Sequence, residues 1–301
     1  MPELPEVETI RRDAQKTLIG LKILGAQILD HKPVLGQDKE IENLKAVIKA
    51  VRRRGKILII DLDQNRSLII HLKMTGQFVF QSQKSKVKGQ NLKAKVKSKI
   101  PELAGGHFEI GSLEVPNKFT RLIFNLNHGK LYFNDLRKFG WVRLVATNKI
   151  ENLKEIKNLG VEPLTPQFSL KVFKEIIKRR PKKPVKMLLL DQALISGIGN
   201  IYSSEALFWA KINPIRLAGS LNQKEIKALH KAINKVLKEG IATGGSSENT
   251  YVDLFGEKGA YLKKEVVYRR EGNRCPRHCG GIVKRIKQGG RSSFFCSQCQ
   301  K

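Results

Sequence analysis

The chain begins Met-Pro-Glu-Leu-Pro-Glu, and its second and third residues could form and break bonds. Pro2 follows an initiator methionine, and removal of that methionine would leave a secondary amine. Such an amine can attack a sugar C1′ carbon and form an iminium ion, a covalent catalysis usually assigned to lysine. An α-amine with a pKa of about 8 is roughly ten percent neutral at pH 7, far more than a lysine amine. Glu3 would then be a general acid beside the nucleophile; an inert Pro-Glu pair is the alternative.

Four cysteines, all in the last 27 residues, form the second chemically informative group. They occur as Cys275-x3-Cys279-x16-Cys296-x2-Cys299. Two close pairs at this separation, on the knuckles of a β-hairpin, can supply four thiolates to a tetrahedral Zn²⁺. We therefore predict one structural zinc rather than a disulfide framework. His278 stands at the usual two-residue spacing from Cys275, so a Cys3His site is an alternative. Cys279 is preferred, because the 16-residue interval begins there.

The composition is strongly basic, with 57 Lys and Arg residues against 27 Asp and Glu and a net charge of +30. This excess favours a polyanionic partner, either nucleic acid or an anionic membrane surface. A lysine-rich proteome would raise the charge without such a partner. No uncharged apolar run reaches the length of about 18 residues that a transmembrane helix requires, and the N-terminus lacks the order of a secretory signal. We expect an intracellular, cytoplasmic and nucleoid-associated protein with no membrane partner.

The first 150 residues contain one opening helix followed mainly by strands. An apolar stripe predicts the helix over 5–19, with Pro5 at the first helical position and acids near its positive end. Segments rich in β-branched and aromatic residues predict strands over 56–62, 67–74, 121–126, 130–136 and 140–145. This pattern indicates a β-sandwich or barrel. Residues 81–99 hold seven lysines and no acid, and we interpret them as a mobile insertion.

The remainder of the chain is helical until the cysteines. Periodicity predicts helices over 170–180, 184–195, 201–212 and 222–241. Three domains follow from this change of pattern: 1–150, 151–262 and 263–301. The last is too short to build a core alone, which is a further reason to expect the metal.

Five motifs, in this order, resemble those of the formamidopyrimidine-DNA glycosylases. They are PELPEVE at the start, HLKMTG at 71–76, DLRKFG at 135–140, LISGIGNIYSSEALF at 194–208 and a zinc ribbon ending CSQCQK. The resemblance runs the length of the chain except for the lysine-rich segment. It implies an α+β multidomain fold: an N-terminal β-sandwich with its opening helix, a helix-two-turn-helix domain and a C-terminal zinc ribbon. A monomer would hold damaged double-stranded DNA between two lobes.

The same resemblance implies the catalytic roles. Pro2 would be the Schiff-base nucleophile, and Glu3 the acid that assists opening of the sugar ring. Lys56, in RRRGKILII, matches the family lysine assigned to β-elimination. Arg291, in GGRSSFF, matches the arginine linked to δ-elimination and to the estranged base. Without the resemblance, Lys56 would be a strand-edge lysine and Arg291 a nonspecific phosphate contact.

The resemblance also implies the residues that contact DNA. Met74, Arg137 and Phe139 match the three residues that fill the gap left by an everted base. Considered alone, Met74 and Phe139 would more often be core residues. In GIGN, the glycines would let DNA approach closely, and Asn200 opens a helix whose dipole suits a phosphate. A plain packing corner is the alternative.

The chain departs from the family pattern at two DNA-contacting positions. Lys138 stands where the family usually has a second arginine, so the charge is kept but the bidentate fork is lost. Phe119 stands where relatives have the histidine of Lys-His-Thr, so that contact is missing. Both changes affect binding rather than chemistry.

The resulting hypothesis is a bifunctional DNA glycosylase and AP lyase for oxidised purines, such as 8-oxoguanine and formamidopyrimidines, with β,δ-elimination. Three alternatives stay open. They are an endonuclease VIII-like preference for oxidised pyrimidines, a noncatalytic DNA-binding protein on the same scaffold, and simple charge-driven RNA binding.

Overall fold

The computed structural model describes residues 1–36, 38–82, 115–247 and 250–301, which divide into two compact units. The first unit comprises Met1–Pro2, Glu6–Glu151 and Gly244–Ala260, and the second comprises Glu3–Pro5, Asn152–Thr243 and Tyr261–Lys301. Of the lysine-rich segment 81–99, only Gln81 and Ser82 are described, as the end of a strand. The interpretation of the rest of that segment lies outside the described residues.

The first unit is an antiparallel sheet with one long helix. Its elements are α1 (Leu4–Thr17), β1 (Lys22–Ile28), α2 (Asp38–Glu42), β2 (Ala46–Arg54), β3 (Ile57–Leu62), β4 (Arg66–His71), β5 (Gly76–Ser82), β6 (Thr120–Leu126), β7 (Gly129–Asp135) and β8 (Trp141–Ala146). The strands run in the order β5-β7-β6-β1-β2-β3-β4-β8. Only two residue pairs join β1 to β2, so two four-stranded halves meet at a short connection.

One core lies between these elements and draws side chains from both halves of the sheet. Phe124 and Phe133 come from one half and Leu58 and Ile70 from the other, and all four are fully buried. The predicted apolar stripe of α1 packs into the same cluster, through Val7, Ile10, Ala14 and Leu18. The expected β-sandwich with its opening helix is thereby confirmed.

Several boundaries differ from the sequence prediction. Strands β1, β2 and β5 are absent from the sequence prediction. Gly25, with a φ of +143°, interrupts β1, and β2 ends in three arginines. The predicted strand 67–74 ends at His71, because the next residues turn and the Gly76 amide donates to the Leu72 carbonyl at 2.9 Å. Gly25, the arginines of β2 and the turn after His71 each interrupt the apolar alternation that predicts a strand.

The two acids early in α1 make specific contacts beyond a helix-dipole role. Glu6 is 1 % exposed, and its carboxylate accepts from the backbone N–H of Ser246 at 2.8 Å. Glu8 accepts from Arg11, Arg12 and Arg53. Burial acts to raise the pKa of Glu8, but the three guanidinium groups outweigh it and lower that pKa.

The second unit is helical and ends in a hairpin. Its elements are α3 (Lys154–Lys157), α4 (Leu170–Arg179), α5 (Val185–Leu189), α6 (Asn200–Trp209), α7 (Gln223–Ala242), β9 (Val283–Gln288) and β10 (Arg291–Cys296). The predicted helix over 184–195 was wrong in length. The chain turns after Leu190, where Asp191 accepts from the Ala193 amide at 3.0 Å and Ile195 forms a bridge with Val161.

Glu205 on α6 connects this helix to the segment that precedes the hairpin. Its side chain is completely buried and accepts from the backbone N–H groups of Val266, Val267 and Tyr268 at 2.9–3.0 Å. Burial raises the pKa of Glu205 in spite of these three bonds. The β9–β10 turn itself is formed by Gly289 and Gly290, both at positive φ, as a two-residue hairpin turn requires.

We predict that Glu205→Gln lowers the free energy of unfolding by about 2–3 kcal/mol, because an amide offers one acceptor and a misplaced donor to three N–H groups. Urea unfolding measures this loss. Glu175→Gln, at an exposed position of α4, is the matched control and is expected to change stability little. Equal effects of the two substitutions would contradict the assignment.

Candidate active site and zinc centre

Glu3 is held by the first backbone amides of α6. Its carboxylate accepts from the N–H groups of Gly199 at 2.7 Å, Ile201 at 2.9 Å and Tyr202 at 3.4 Å. Glu3 is 2 % exposed, and Gly199 at the N-cap has no side chain to satisfy these donors. A carboxylate from elsewhere in the chain therefore caps the helix and lies at the positive end of its dipole.

The two glycines of GIGN make room for residues 3 and 4. A Cβ on Gly199 would lie 2.2 Å from Cδ of Glu3, and one on Gly197, whose φ is +96°, would lie 2.8 Å from Leu4. From the sequence, these glycines are expected to allow a close approach of DNA. In the structure the space beside them is filled by the start of the chain, which needs backbone without side chains there.

Lys186 and Asn200 both bind the backbone next to Arg291. Nζ of Lys186 donates to the Ser292 carbonyl at 3.1 Å and to Oγ of Ser204 at 2.9 Å, and Nδ2 of Asn200 donates to the same Ser292 carbonyl at 3.0 Å. Arg291 itself is exposed at the start of β10. These contacts fix the position from which the Arg291 side chain extends.

Lys186 is a functional candidate that sequence reasoning missed. Burial lowers its pKa to about 7, Glu3 opposes this shift and Arg291 adds to it. An amine that changes charge near neutral pH is typical of functional sites. The sequence signal is a lysine within the apolar stretch PVKMLLL, and helical periodicity alone does not distinguish it from an exposed lysine.

Met74, Arg137 and Phe139 lie together on the first unit. The guanidinium carbon of Arg137 is 4.8 Å from the Phe139 ring centroid, and its Nη1 is 3.2 Å from the Met74 sulfur. Met74 is 42 % exposed and Phe139 49 % exposed, so neither is a core residue. The structure thus brings together the three side chains that the motifs singled out.

Asp135, another residue that sequence reasoning missed, organises the loop that carries Arg137 and Phe139. It is completely buried and accepts from Thr75 Oγ1 and from the backbone N–H groups of Arg137 and Gly140. It belongs to the DLRKFG motif, but an acid there gave no sign of its partners.

Lys138, in the same loop, binds an acid of its own unit. Its ammonium is 2.7 Å from the Asp30 carboxylate, and the hydrogen bond from Lys138 lowers the pKa of Asp30. Phe119 is half-buried beneath the ammonium of Lys118, which lies 5.2 Å from its ring centroid. Whether either departure changes DNA affinity stays a prediction.

Lys56 lies in the first unit beside His71, a third residue that sequence reasoning missed. Lys56 is 6 % exposed, and Pro2 is also buried. Burial, with the charges of Lys73 and Lys56, lowers the pKa of His71 to about 3. Its Nδ1 accepts from the Lys73 amide at 2.9 Å, so the neutral ring carries its proton on Nε2. This is a hydrogen-bond donor flanked by two cations.

The four cysteine sulfurs lie within 4.8 Å of one another. Cys275 and Cys299 are 3.7 Å apart, and Cys279 and Cys296 are 3.6 Å apart. Tetrahedral Zn²⁺ with bonds of about 2.3 Å separates its sulfurs by about 3.8 Å, which matches both distances. Among the described residues, the group that could hold a metal contains Cys279 and not His278.

Comparison with known proteins agrees with this geometry. Three family models match: the formamidopyrimidine-DNA glycosylase N-terminal domain over 1–142, its H2TH domain over 159–252, and a zinc finger found in FPG and IleRS over 272–301. The formamidopyrimidine-DNA glycosylase of Pelotomaculum thermopropionicum is 42 % identical over 100 % of this chain and 99 % of its own. The chain belongs to the formamidopyrimidine-DNA glycosylase family.

Solved structures of the family have the same fold. A Lactococcus lactis FPG mutant bound to Fapy-dG-containing DNA is 32 % identical, with a TM-score of 0.82 and complete coverage of both chains. The L. lactis Fpg complex with abasic-site DNA is also 32 % identical, with a TM-score of 0.82 over 99 % of each chain. Their agreement confirms the three-part architecture expected from the motifs.

As a formamidopyrimidine-DNA glycosylase family member, the chain has the activity class of a DNA repair glycosylase. The zinc-finger match and the clustered cysteines confirm the predicted structural zinc. In the described part of the chain, no helix is both long and apolar enough to cross a membrane. The roles of individual site residues stay predictions.

We predict that Cys279→Ser reduces bound zinc well below one equivalent, because it removes a thiolate from the tetrahedral set. His278→Ala, at the adjacent residue, is the control and should retain one equivalent. Metal content after dialysis, measured by atomic emission, distinguishes them. Zinc loss from the His278 variant with retention by the Cys279 variant would support the Cys3His alternative instead.

We predict that His71 makes stability fall with acidification between about pH 6.5 and 3. The unfolded chain takes up a proton below 6.5 and the folded chain does not, so the free energy of unfolding decreases by up to about 1.4 kcal/mol per pH unit. Urea unfolding of His71→Gln should show a correspondingly flatter pH dependence. His128→Gln, at an exposed position, should keep the wild-type slope; identical slopes for all three proteins would refute the prediction.

Proposed function

We propose that the chain is a bifunctional DNA glycosylase and AP lyase that excises oxidised purines from duplex DNA through its N-terminal proline. The observation that carries this proposal is the fixed position of Glu3, bound by three amides of α6. Pro2 is bonded directly to Glu3, so a proton-transferring group is one residue from the amine that removal of Met1 would expose. An inert Pro-Glu pair would not need a buried, fully satisfied carboxylate.

The proposed reaction begins when the Pro2 nitrogen attacks C1′ of the damaged nucleotide. The glycosidic bond breaks, the base leaves with its electron pair and takes a proton from solvent, and the Glu3 carboxylate takes the proton that the amine gives up. Glu3 then donates that proton to the ring oxygen as the C1′–O bond opens, and the nitrogen lone pair forms the iminium. Loss of a C2′ proton expels the 3′ phosphate in β-elimination, and a second elimination expels the 5′ phosphate.

The positive residues are assigned to the elimination steps and to the phosphates. Lys56 serves the β-elimination, and Arg291 serves the δ-elimination and the base opposite the lesion. His71, neutral and beside Lys56, can donate its Nε2 proton to a phosphate oxygen. The zinc site acts structurally by holding β10, and Lys186 and Asn200 hold Ser292 next to Arg291.

Base eversion is assigned to the exposed cluster of Met74, Arg137 and Phe139. An extruded nucleotide leaves a gap in the stack, and occupying that gap offsets part of the unstacking free energy. Arg137 contacts both Met74 and Phe139, and Asp135 accepts from the backbone N–H of Arg137. A protein that only bound DNA backbone would have no need for two exposed apolar side chains at this place.

The lesion class is proposed as oxidised purines because the opening ELPEVE resembles the purine-lesion branch rather than the endonuclease VIII branch. The similar structures agree with a glycosylase for oxidised bases of both classes: the L. lactis mutant structure contains Fapy-dG in its DNA, and a wild-type L. lactis complex contains an oxidised pyrimidine. Thymine glycol processed faster than 8-oxoguanine would favour the endonuclease VIII-like alternative.

We predict that borohydride traps the demethionylated, zinc-loaded protein on a duplex carrying 8-oxoguanine opposite cytosine, and that mass spectrometry maps the adduct to Pro2. Pro2→Gly should reduce trapping strongly, because it replaces the secondary amine. Glu3→Gln should reduce it through lost proton transfer, by about 100-fold or more in rate.

Wild-type protein that retains Met1 is the matched control, since it has the same fold but an amide in place of the amine. It should give no adduct. Adducts of equal yield from the Met1-retaining protein would refute the proline mechanism. Salt-sensitive binding with neither adduct nor strand cleavage from the demethionylated protein would favour a noncatalytic DNA binder.

A further inference from the structure

All five lysines of α7 lie on one face of the helix. We call this set the α7 lysine stripe, and it consists of Lys224, Lys227, Lys231, Lys235 and Lys238. Successive members are 3, 4, 4 and 3 residues apart, which confines them to about 80° of the helix circumference. All five are exposed. The stripe is therefore a continuous line of positive charge along the helix.

Neighbouring carboxylates do not neutralise this charge. Within the described ranges, none of the five ammonium groups forms an ion pair with an acid. Of the two glutamates of α7, Glu225 binds Arg216 and closes the capping box with Asn222, and Glu239 lies to one side of the stripe. Like charges three and four residues apart destabilise a helix, so the arrangement is not one that folding favours.

The opposite face of α7 fixes which way the stripe points. Ile226, Leu229, Ile233, Val236 and Leu237 are buried in the core of the second unit. At the end of α6, Trp209 packs against the stripe: Nζ of Lys235 is 3.6 Å from its ring centroid, and Trp209 is 37 % exposed. This cation–π contact restricts one of the lysines without neutralising it.

We propose that the α7 lysine stripe is a second DNA-binding surface, which takes the sugar-phosphate backbone of an undamaged duplex. The stripe extends about 21 Å from Lys224 to Lys238, the axial length of about six phosphates of one strand. None of the residues assigned to catalysis or to base eversion is in α7. The apolar face of the helix is buried, so insertion into a lipid bilayer has no side chains to drive it.

A second surface of this kind lets the protein hold one duplex at the residues assigned to excision and another at α7. Backbone contacts are insensitive to sequence and depend on released counterions. The stripe would therefore increase retention on DNA and permit transfer between segments, without altering excision itself. This inference is independent of the proline chemistry.

The test is sedimentation velocity of the full-length, zinc-loaded protein with a fluorescent, undamaged 20-bp duplex at low salt. Wild-type protein should form complexes with one and with two duplexes. The variant K224Q/K227Q/K231Q/K235Q/K238Q should form only the one-duplex complex. For nonspecific binding, the slope of log K against log salt should decrease by about 3 to 4.5, if three to five lysines each contact a phosphate.

The matched control removes five exposed lysines of the second unit outside α7, in the variant K154Q/K157Q/K182Q/K263Q/K264Q. It has the same net charge and should still bind two duplexes. Circular dichroism and zinc content verify folding, and excision of 8-oxoguanine should be unchanged in both variants. Equal loss in both variants, a second duplex still bound by the stripe variant, or no second duplex on wild type would each overturn the proposal.

Discussion

The burial of the Glu3 carboxylate at the start of α6 is the interaction on which the position of the first residues depends. A charged group with 2 % exposure is stable only where donors replace its water, and the unsatisfied amides of a helix N-terminus supply them. This requirement accounts for Gly199, because an added Cβ would occupy the space of the carboxylate. It also accounts for Gly197, because a Cβ there would clash with Leu4. The first residues of the chain are thereby fixed in place, whereas chain termini are usually poorly ordered.

Helix α6 carries several buried polar side chains that have defined partners. Glu205 binds three amides before the hairpin, and Ser204 accepts from Lys186. Burying polar groups is costly unless they are hydrogen-bonded. Their concentration on one helix therefore indicates that α6 is held to its neighbours by specific hydrogen bonds as well as by apolar packing. They connect the helix that caps on Glu3 with the strand that begins at Arg291. Glu3 and the backbone next to Arg291 are therefore both bound at the start of α6.

The zinc segment shows the same dependence on a local constraint. Its apolar cluster contains Val283, Phe294 and the side chain of Phe208 from α6, which is a small core for a two-stranded hairpin. Two strands alone are marginally stable, and four thiolates closed around a metal supply the missing free energy. Arg291 is the first residue of β10, so the metal helps to position a proposed functional residue that is not one of its ligands.

The sequence by itself determined the family, the metal and most of the regular elements, because each depends on a local pattern. The cysteine spacing, the stripe of Val7 and Ile10 and the strand alternation are visible within a few residues of the chain. The exposure of Met74 and Phe139 followed only from family motifs, since apolar residues alone favour a core. The predicted length of α5 was wrong, because Ile195, at the end of the predicted helix, forms a long-range bridge with Val161 instead.

Only the tertiary structure decided how the buried charges are satisfied. Glu3 meets Gly199 across 196 residues, and Lys186 meets the Ser292 carbonyl across 106. No periodicity links such positions, and the pKa values of Lys186 and His71 depend on desolvation that exists only after the chain has packed. Local patterns specify which elements form; the electrostatics of the site arise from which distant groups those elements bring into contact.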